Sequence, residues 1–250
     1  MRRFYDFVLP FTKAGSVADL TLQSALAAAA ALVALAFCLS TFERWLARRR
    51  RHELAWSVSL AMFTLGSAAL WLGAANGWNP AVFRAFYLFG AVLNVPFLAL
   101  GTIYLLGGPR LGDRVGAGVA LAATFAAGVL VASPLRAAIP VHELPKGSDV
   151  FGALPRVLAA VASGVGAVVV IAGAVWSAWR LRGRRATARM VFANVLIAVG
   201  TIVLGIGGLF NSALGEMEAF AVTLVIGITL IFAGFLLATN QQLPPRPPAA

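Results

Sequence analysis

Polar residues cut the chain into seven long apolar runs, at about 18–46, 54–75, 80–106, 115–132, 150–179, 190–210 and 217–239. Roughly 20 mostly apolar residues cross the ~30 Å bilayer core as one helix, so each run predicts a transmembrane span. The first, third and fifth exceed that minimum and should tilt or project into water. Connections are mostly short, which favours antiparallel neighbours in one bundle. The pattern predicts an all-α integral membrane protein, a seven-transmembrane helix bundle over 18–239. Residues 1–17, with Arg2, Arg3, Phe4, Tyr5, Phe7 and Phe11, read as an interfacial or flexible segment. Residues 240–250 read as a disordered, solvated Pro-rich tail, and neither terminus is expected to carry a soluble domain.

Composition agrees with the runs. The 250 residues are 60% hydrophobic and 12% charged with mean hydropathy +0.88, against about 45–50% and 25% in soluble domains. The net charge of +11 would point to nucleic acid in a soluble protein. In a membrane protein basic loops set orientation and the anionic cytoplasmic leaflet is the partner, so no nucleic acid is expected. The connections after spans one, three and five, with the tail, hold thirteen of the twenty basic residues, and the other side holds seven. The positive-inside rule places the N-terminus outside and the C-terminus in the cytoplasm. Trp45, Trp176 and Trp179 then fall at the inner interface, and Trp71 and Trp78 at the outer one. Eighteen of the twenty basic residues are arginine, a skew that fits a GC-rich bacterium and its cytoplasmic membrane.

The polar residues exclude several chemistries. The two histidines, His52 and His142, fall in predicted loops, so no axial ligand faces inward for haem. Span seven lacks the lysine that a retinal Schiff base needs. His142-Glu143 has no partner motif for zinc. Ser57, Ser59 and Ser67 have no basic partner in their span. The carboxylates lie near span ends or in loops, away from the depth a proton or sodium pump uses. The expectation is no enzyme, no cofactor and no metal site.

The remaining polar residues gather at the outer level. Arg84 stands in the first turn of span three, where a positive charge opposes the helix dipole. Either Glu216 and Glu218 offset it from span seven, or it snorkels to lipid phosphate. Tyr87 and Asn94 share its helical face, and that stripe either lines an amphiphilic pocket or packs on another helix. Trp71 and Asn76 close span two and Asn211 closes span six at the same level. The candidate ligand set is Trp71, Asn76, Arg84, Tyr87, Asn94, Asn211, Glu216 and Glu218. The loop 133–149, stiffened by Pro134, Pro140 and Pro145, reads as a lid over this set or as a plain surface crossover. Pro96 interrupts span three and is the candidate hinge. Glycines in spans five and six, such as Gly164, Gly166, Gly200 and Gly207, allow close helix packing or a homo-oligomer face.

An Arg-rich first inner loop leads to Trp56 and Trp71, then Phe83-Arg84-Ala-Phe-Tyr87, Gly90 and Asn94-Val-Pro96. This layout resembles the seven-helix membrane sensor module at the N-terminus of many bacterial histidine kinases and related signalling proteins. The resemblance covers mainly spans one to three, and no output domain follows span seven. It implies ligand sensing and a separate cytoplasmic partner, docked on Arg48, Arg49, Arg50, Arg51, Arg182, Arg184 and Arg185. Two alternatives stand beside it. A 135-residue shift superposes Arg49-Arg50 on Arg184-Arg185, Gly73 on Gly208 and Asn76 on Asn211. That three-plus-one-plus-three repeat is similar to the layout of SWEET sugar transporters, though their Pro-Gln signature is missing. An accessory or scaffold subunit of a membrane complex is the other.

Overall fold

The computed structural model describes residues 2–141, 143–181, 188–214 and 217–239, with side chains for 22–141, 143–177, 179–180, 189–208 and 219–238. The described residues form helices and connections, with no strand among them. In chain order these are α1 (Arg2–Arg48), α2 (Arg51–Asn76), α3 (Pro80–Phe86), a π-helical segment (Tyr87–Leu93), α4 (Asn94–Ala132), the single turn α5 (Gly147–Val150), α6 (Ala153–Leu181), α7 (Ala188–Leu214) and α8 (Met217–Thr239). Six stretches are long and apolar enough to cross a membrane: Leu22–Arg48, Arg51–Asn76, Pro80–Ala132, Ala153–Ser177, Arg189–Gly208 and Ala219–Ala238.

The 53 residues of Pro80–Ala132 would reach about 80 Å if straight, far beyond one bilayer. They fold back on themselves. Gly108 has φ 79° and ψ 177°, a backbone open to glycine, and Pro109 follows without an N–H to continue the ladder. Side-by-side contacts show that the limbs run antiparallel. Tyr104 packs on Gly112, Leu100 on Gly116, and Arg84 reaches the end of α4 at Leu130. The limb before the reversal runs parallel to α6, because Ala91 meets Ser163, Val95 meets Gly166 and Thr102 meets Gly173.

The helices close into a ring. Packing runs from α1 to α2, to α4, to α6, to α7, to α8 and back to α1. One core joins α1, α2 and α8 through Phe37, Leu60, Phe63, Ile231 and Phe235. The limb after the reversal lies at the periphery, and Leu121 is 74% exposed there. Exposed leucines and valines along the bundle suit contact with lipid.

Close approaches fix the helix spacing. A Cβ on Gly66 would stand 2.9 Å from the Cα and N of Gly90, so α2 meets the π segment backbone to backbone. Gly66→Ala should therefore destabilise the protein by about 1–3 kcal/mol. Gly118→Ala is the control, since nothing lies within 4 Å of a Cβ there. Unfolding in detergent reads both, and equal behaviour of the two variants would contradict the packing.

Connections gather the charges at two ends. One end carries Arg44, Arg48 to Arg51, Arg110, Arg114, Arg180 and Arg189, and the other Arg84, Arg136, Lys146 and Arg156. Contacts hold the first end together. Arg51 pairs with Asp113, which also accepts from the Tyr104 hydroxyl at 3.0 Å, and Arg189 donates to the Leu237 carbonyl at 3.1 Å.

Candidate functional site

The arginine-poor end is closed by the loop between α4 and α6. The loop rests on the turn Asn76-Gly-Trp-Asn-Pro80 between α2 and α3. Asn79 caps α3 by accepting from the amides of Ala81 and Val82, both at 3.0 Å, with Pro80 at the start of the helix. Gly77 takes φ 89°, and the Trp78 amide donates to the Val141 carbonyl at 2.9 Å. This bond carries the loop across the turn. The Arg136 amide donates to the Val150 carbonyl at 2.9 Å and ties the beginning of the loop to its end.

Beneath the loop lies an aromatic cluster. Trp78 meets Phe83 and Phe86 with ring centres 6.2 and 5.7 Å apart. Phe83 stacks on Phe151 at 5.4 Å, and Tyr87 leans on Phe151 at 5.0 Å. Phe86 meets Phe220 of α8 edge-on at 6.1 Å. Such pairs contribute about 0.5–1.5 kcal/mol beyond their buried area. Leu135, Ile139, Leu144 and Val150 of the loop pack on the same cluster. Trp78 is 4% exposed, yet its indole Nε1–H has no hydrogen-bond partner among the described residues. An unpaired buried donor costs about 1–3 kcal/mol.

Arg84 is satisfied by backbone. Its guanidinium donates to the Leu130 carbonyl, to Val131 at 3.1 Å and to Ser133 at 2.6 Å, and stands 5.8 Å over the Phe151 ring. These are carbonyls that a helix end leaves without partners, at the negative pole of α4. The dipole of its own helix opposes Arg84, and that of the antiparallel neighbour favours it. The sequence suggested a carboxylate from Glu216 or Glu218, or lipid phosphate; the described partners are carbonyls.

The expected ligand set is only partly brought together. Arg84 and Tyr87 meet at Phe151, and Gly147 of α5 packs on the Tyr87 ring. Trp71 is 42% exposed and Asn76 is exposed, both on the rim. Asn94 lies about two turns further in and is 6% exposed, with Oδ1 unpartnered among the described residues and its carbonyl accepting from Ser59 at 2.7 Å. The Glu216 residue and the side chains of Asn211 and Glu218 lie outside the described residues, as do Arg182, Arg184, Arg185 and His142. Sequence reasoning passed over Trp78 for Trp71. The available signal was its place inside the Asn-Gly-Trp-Asn-Pro turn, which forces it under whatever crosses that turn.

The expected hinge lies just after the π segment. Pro96 supplies no N–H to the carbonyls four and five residues before it. Ala91, five before, accepts instead from Ser163 of α6 at 2.5 Å. Leu98 accepts from Trp56 of α2 at 3.2 Å. Two neighbouring helices, α2 and α6, thus hold the irregular stretch through its own backbone, and it joins the closed end to the arginine-rich end.

A second polar cluster sits at the arginine-rich end. Glu53 is 1% exposed, and its Oε1 accepts from Arg44 Nε at 3.4 Å and Nη2 at 3.3 Å, while Oε2 has no partner among the described residues. Arg44 also stands 5.0 Å over the Phe235 ring of α8. One turn along α2, the Ser57 carbonyl accepts from the Cys38 thiol at 3.3 Å. Comparison with protein-family profiles, curated proteins and solved structures finds no match for the chain.

Proposed function

We propose that the chain is a non-enzymatic bacterial membrane receptor that binds a small or amphiphilic ligand under the cap at its outer end. It has seven crossings, since the reversal at Gly108-Pro109 divides Pro80–Ala132 into two. The excess of arginine at one end supports a cytoplasmic placement of that end, with the N-terminus outside and the C-terminus inside. The observation that carries the receptor reading is the Trp78 indole N–H, buried beneath the cap without an acceptor among the described residues. A ligand oxygen would supply it. The surrounding rings select an apolar or amphiphilic body.

Relay runs along one span. Arg84 and Tyr87 hold the cap, the π segment follows, and the limb after Pro96 ends near Tyr104 and the Arg51–Asp113 pair. A π turn holds its hydrogen bonds in a register one residue longer than an α turn, and such turns recur at functional sites. A shift between the two registers moves the inner limb relative to the cap. The exposed turn Arg48–Arg51 is where a cytoplasmic partner docks.

Trp78→Phe tests the site. Loss of the unpaired donor and of some packing oppose each other, so stability changes little. The molecule retained after gentle detergent extraction, read by mass spectrometry, should fall about tenfold, near the upper worth of one hydrogen bond. Unchanged retention would remove Trp78 from the site. Solute flux in proteoliposomes would favour a transporter instead.

A further inference from the structure

A cavity of about 290 Å³ opens between the two limbs of the Gly108 hairpin and α6. Its walls include Pro96 and Ala99 from the first limb, Ala122 and Ala126 from the second, and Ala162 and Gly166 from α6. Small side chains leave the space unfilled where the π segment and Pro96 displace the span. Every lining residue is apolar. Water needs two to four polar partners to occupy such a site and finds no polar side chain among the lining residues. Within a bilayer, the component that matches an apolar wall is hydrocarbon.

The cavity also has a charged end. It extends to Ile103 and Val115, toward the reversal. Arg114 directly precedes Val115, and Arg110 lies one turn earlier. Both are exposed, and neither pairs with a carboxylate among the described residues, whereas nearby Arg51 is held by Asp113. Arg180 lies at the same level, because the offset of 71–72 residues between the first limb and α6 sets it beside Pro109. Trp176 and Trp179 are exposed on the last turns of α6, as interfacial anchors.

We infer that this crevice is a binding site for an anionic glycerophospholipid, with one acyl chain between the hairpin limbs and α6 and the phosphate on Arg110 and Arg114. The site stands apart from the cap and does not depend on what binds there. Its lipid comes from the leaflet at the arginine-rich end.

The test uses the full chain, purified and stripped of lipid in detergent, and titrated with phosphatidylglycerol or phosphatidylcholine under native mass spectrometry. The wild type should retain one phosphatidylglycerol and prefer it at least tenfold over phosphatidylcholine. Arg110→Gln with Arg114→Gln should abolish that preference, at about fivefold for each arginine. Ala122→Phe, which fills the crevice, should lower binding of both lipids tenfold or more. Ala160→Phe adds the same bulk on the exposed side of α6, outside the crevice, and should leave binding unchanged. Annular lipid only, seen as equal behaviour of Ala122→Phe and Ala160→Phe, would overturn the site. So would a preference that survives loss of both arginines. The exposed Arg110 and Arg114 pair decides the matter if the crevice-filling variant does not fold.

Discussion

Arg44→Ala should lower stability by about 3–5 kcal/mol, the usual consequence of removing one partner from a buried ion pair. The carboxylate of Glu53 is almost wholly inaccessible, and both of its hydrogen bonds come from Arg44. Without Arg44 it becomes an unpaired buried charge. Against a typical total of 5–15 kcal/mol this is a large fraction. Arg44 also covers Phe235, so α8 loses a contact with the α1–α2 turn in the same variant. The double variant Arg44→Leu with Glu53→Leu should recover most of the loss, since apolar replacement of both partners is often neutral or better. Denaturant unfolding in detergent of the wild type, Arg44→Leu, Glu53→Leu and the double variant gives the coupling directly. A cost below about 1 kcal/mol for Arg44→Ala would mean that Glu53 reaches solvent by another route.

Arg84→Ala should cost about 3 kcal/mol and loosen the cap. A hydrogen bond to a charged group contributes about 1.5–3 kcal/mol, and water recovers part of the loss at a helix end. Three carbonyls within four residues of chain accept from one planar group, which suits arginine and not lysine. Arg84→Lys should therefore restore less than half. Amide exchange should quicken in both variants, most of all at Trp78 and Arg136, whose N–H groups donate to the Val141 and Val150 carbonyls of the loop between α4 and α6. Full rescue by lysine would reduce the role of Arg84 to its charge. Slow exchange in Arg84→Ala would detach the cap from Arg84 altogether.

Much of the architecture was legible because hydropathy reports burial in lipid directly. The expected run 217–239 coincides with α8, and the predicted edges at Pro80 and Ala132 bound the hairpin. The edge at Val150 differs. Val150 and Phe151 belong to the cap core, and α6 begins at Ala153 with Pro155 in its first turn. An apolar pair looks the same to a hydropathy window whether it faces lipid or plugs a bundle. The site was less legible for a related reason. Arg84 advertised an unmet charge, but the carbonyls that meet it carry no side-chain signature and come from 46 to 49 residues away. Glu53 was masked by its position in a first turn, where the helix dipole alone justifies a carboxylate. Pro96 marked the irregular stretch, yet the π register over Tyr87–Leu93 depends on packing against Gly66 and Ser163.

That register also bears on which length changes the gene can tolerate. A residue lost from a regular span rotates everything beyond it by about 100°, and the lipid-facing side chains swing into the bundle. Within Tyr87–Leu93 the chain already carries a surplus, so loss of one residue there restores the ordinary helix and leaves both flanks facing as before. The span therefore has one stretch, seven residues long, where a single-codon deletion is a change of conformation rather than of orientation.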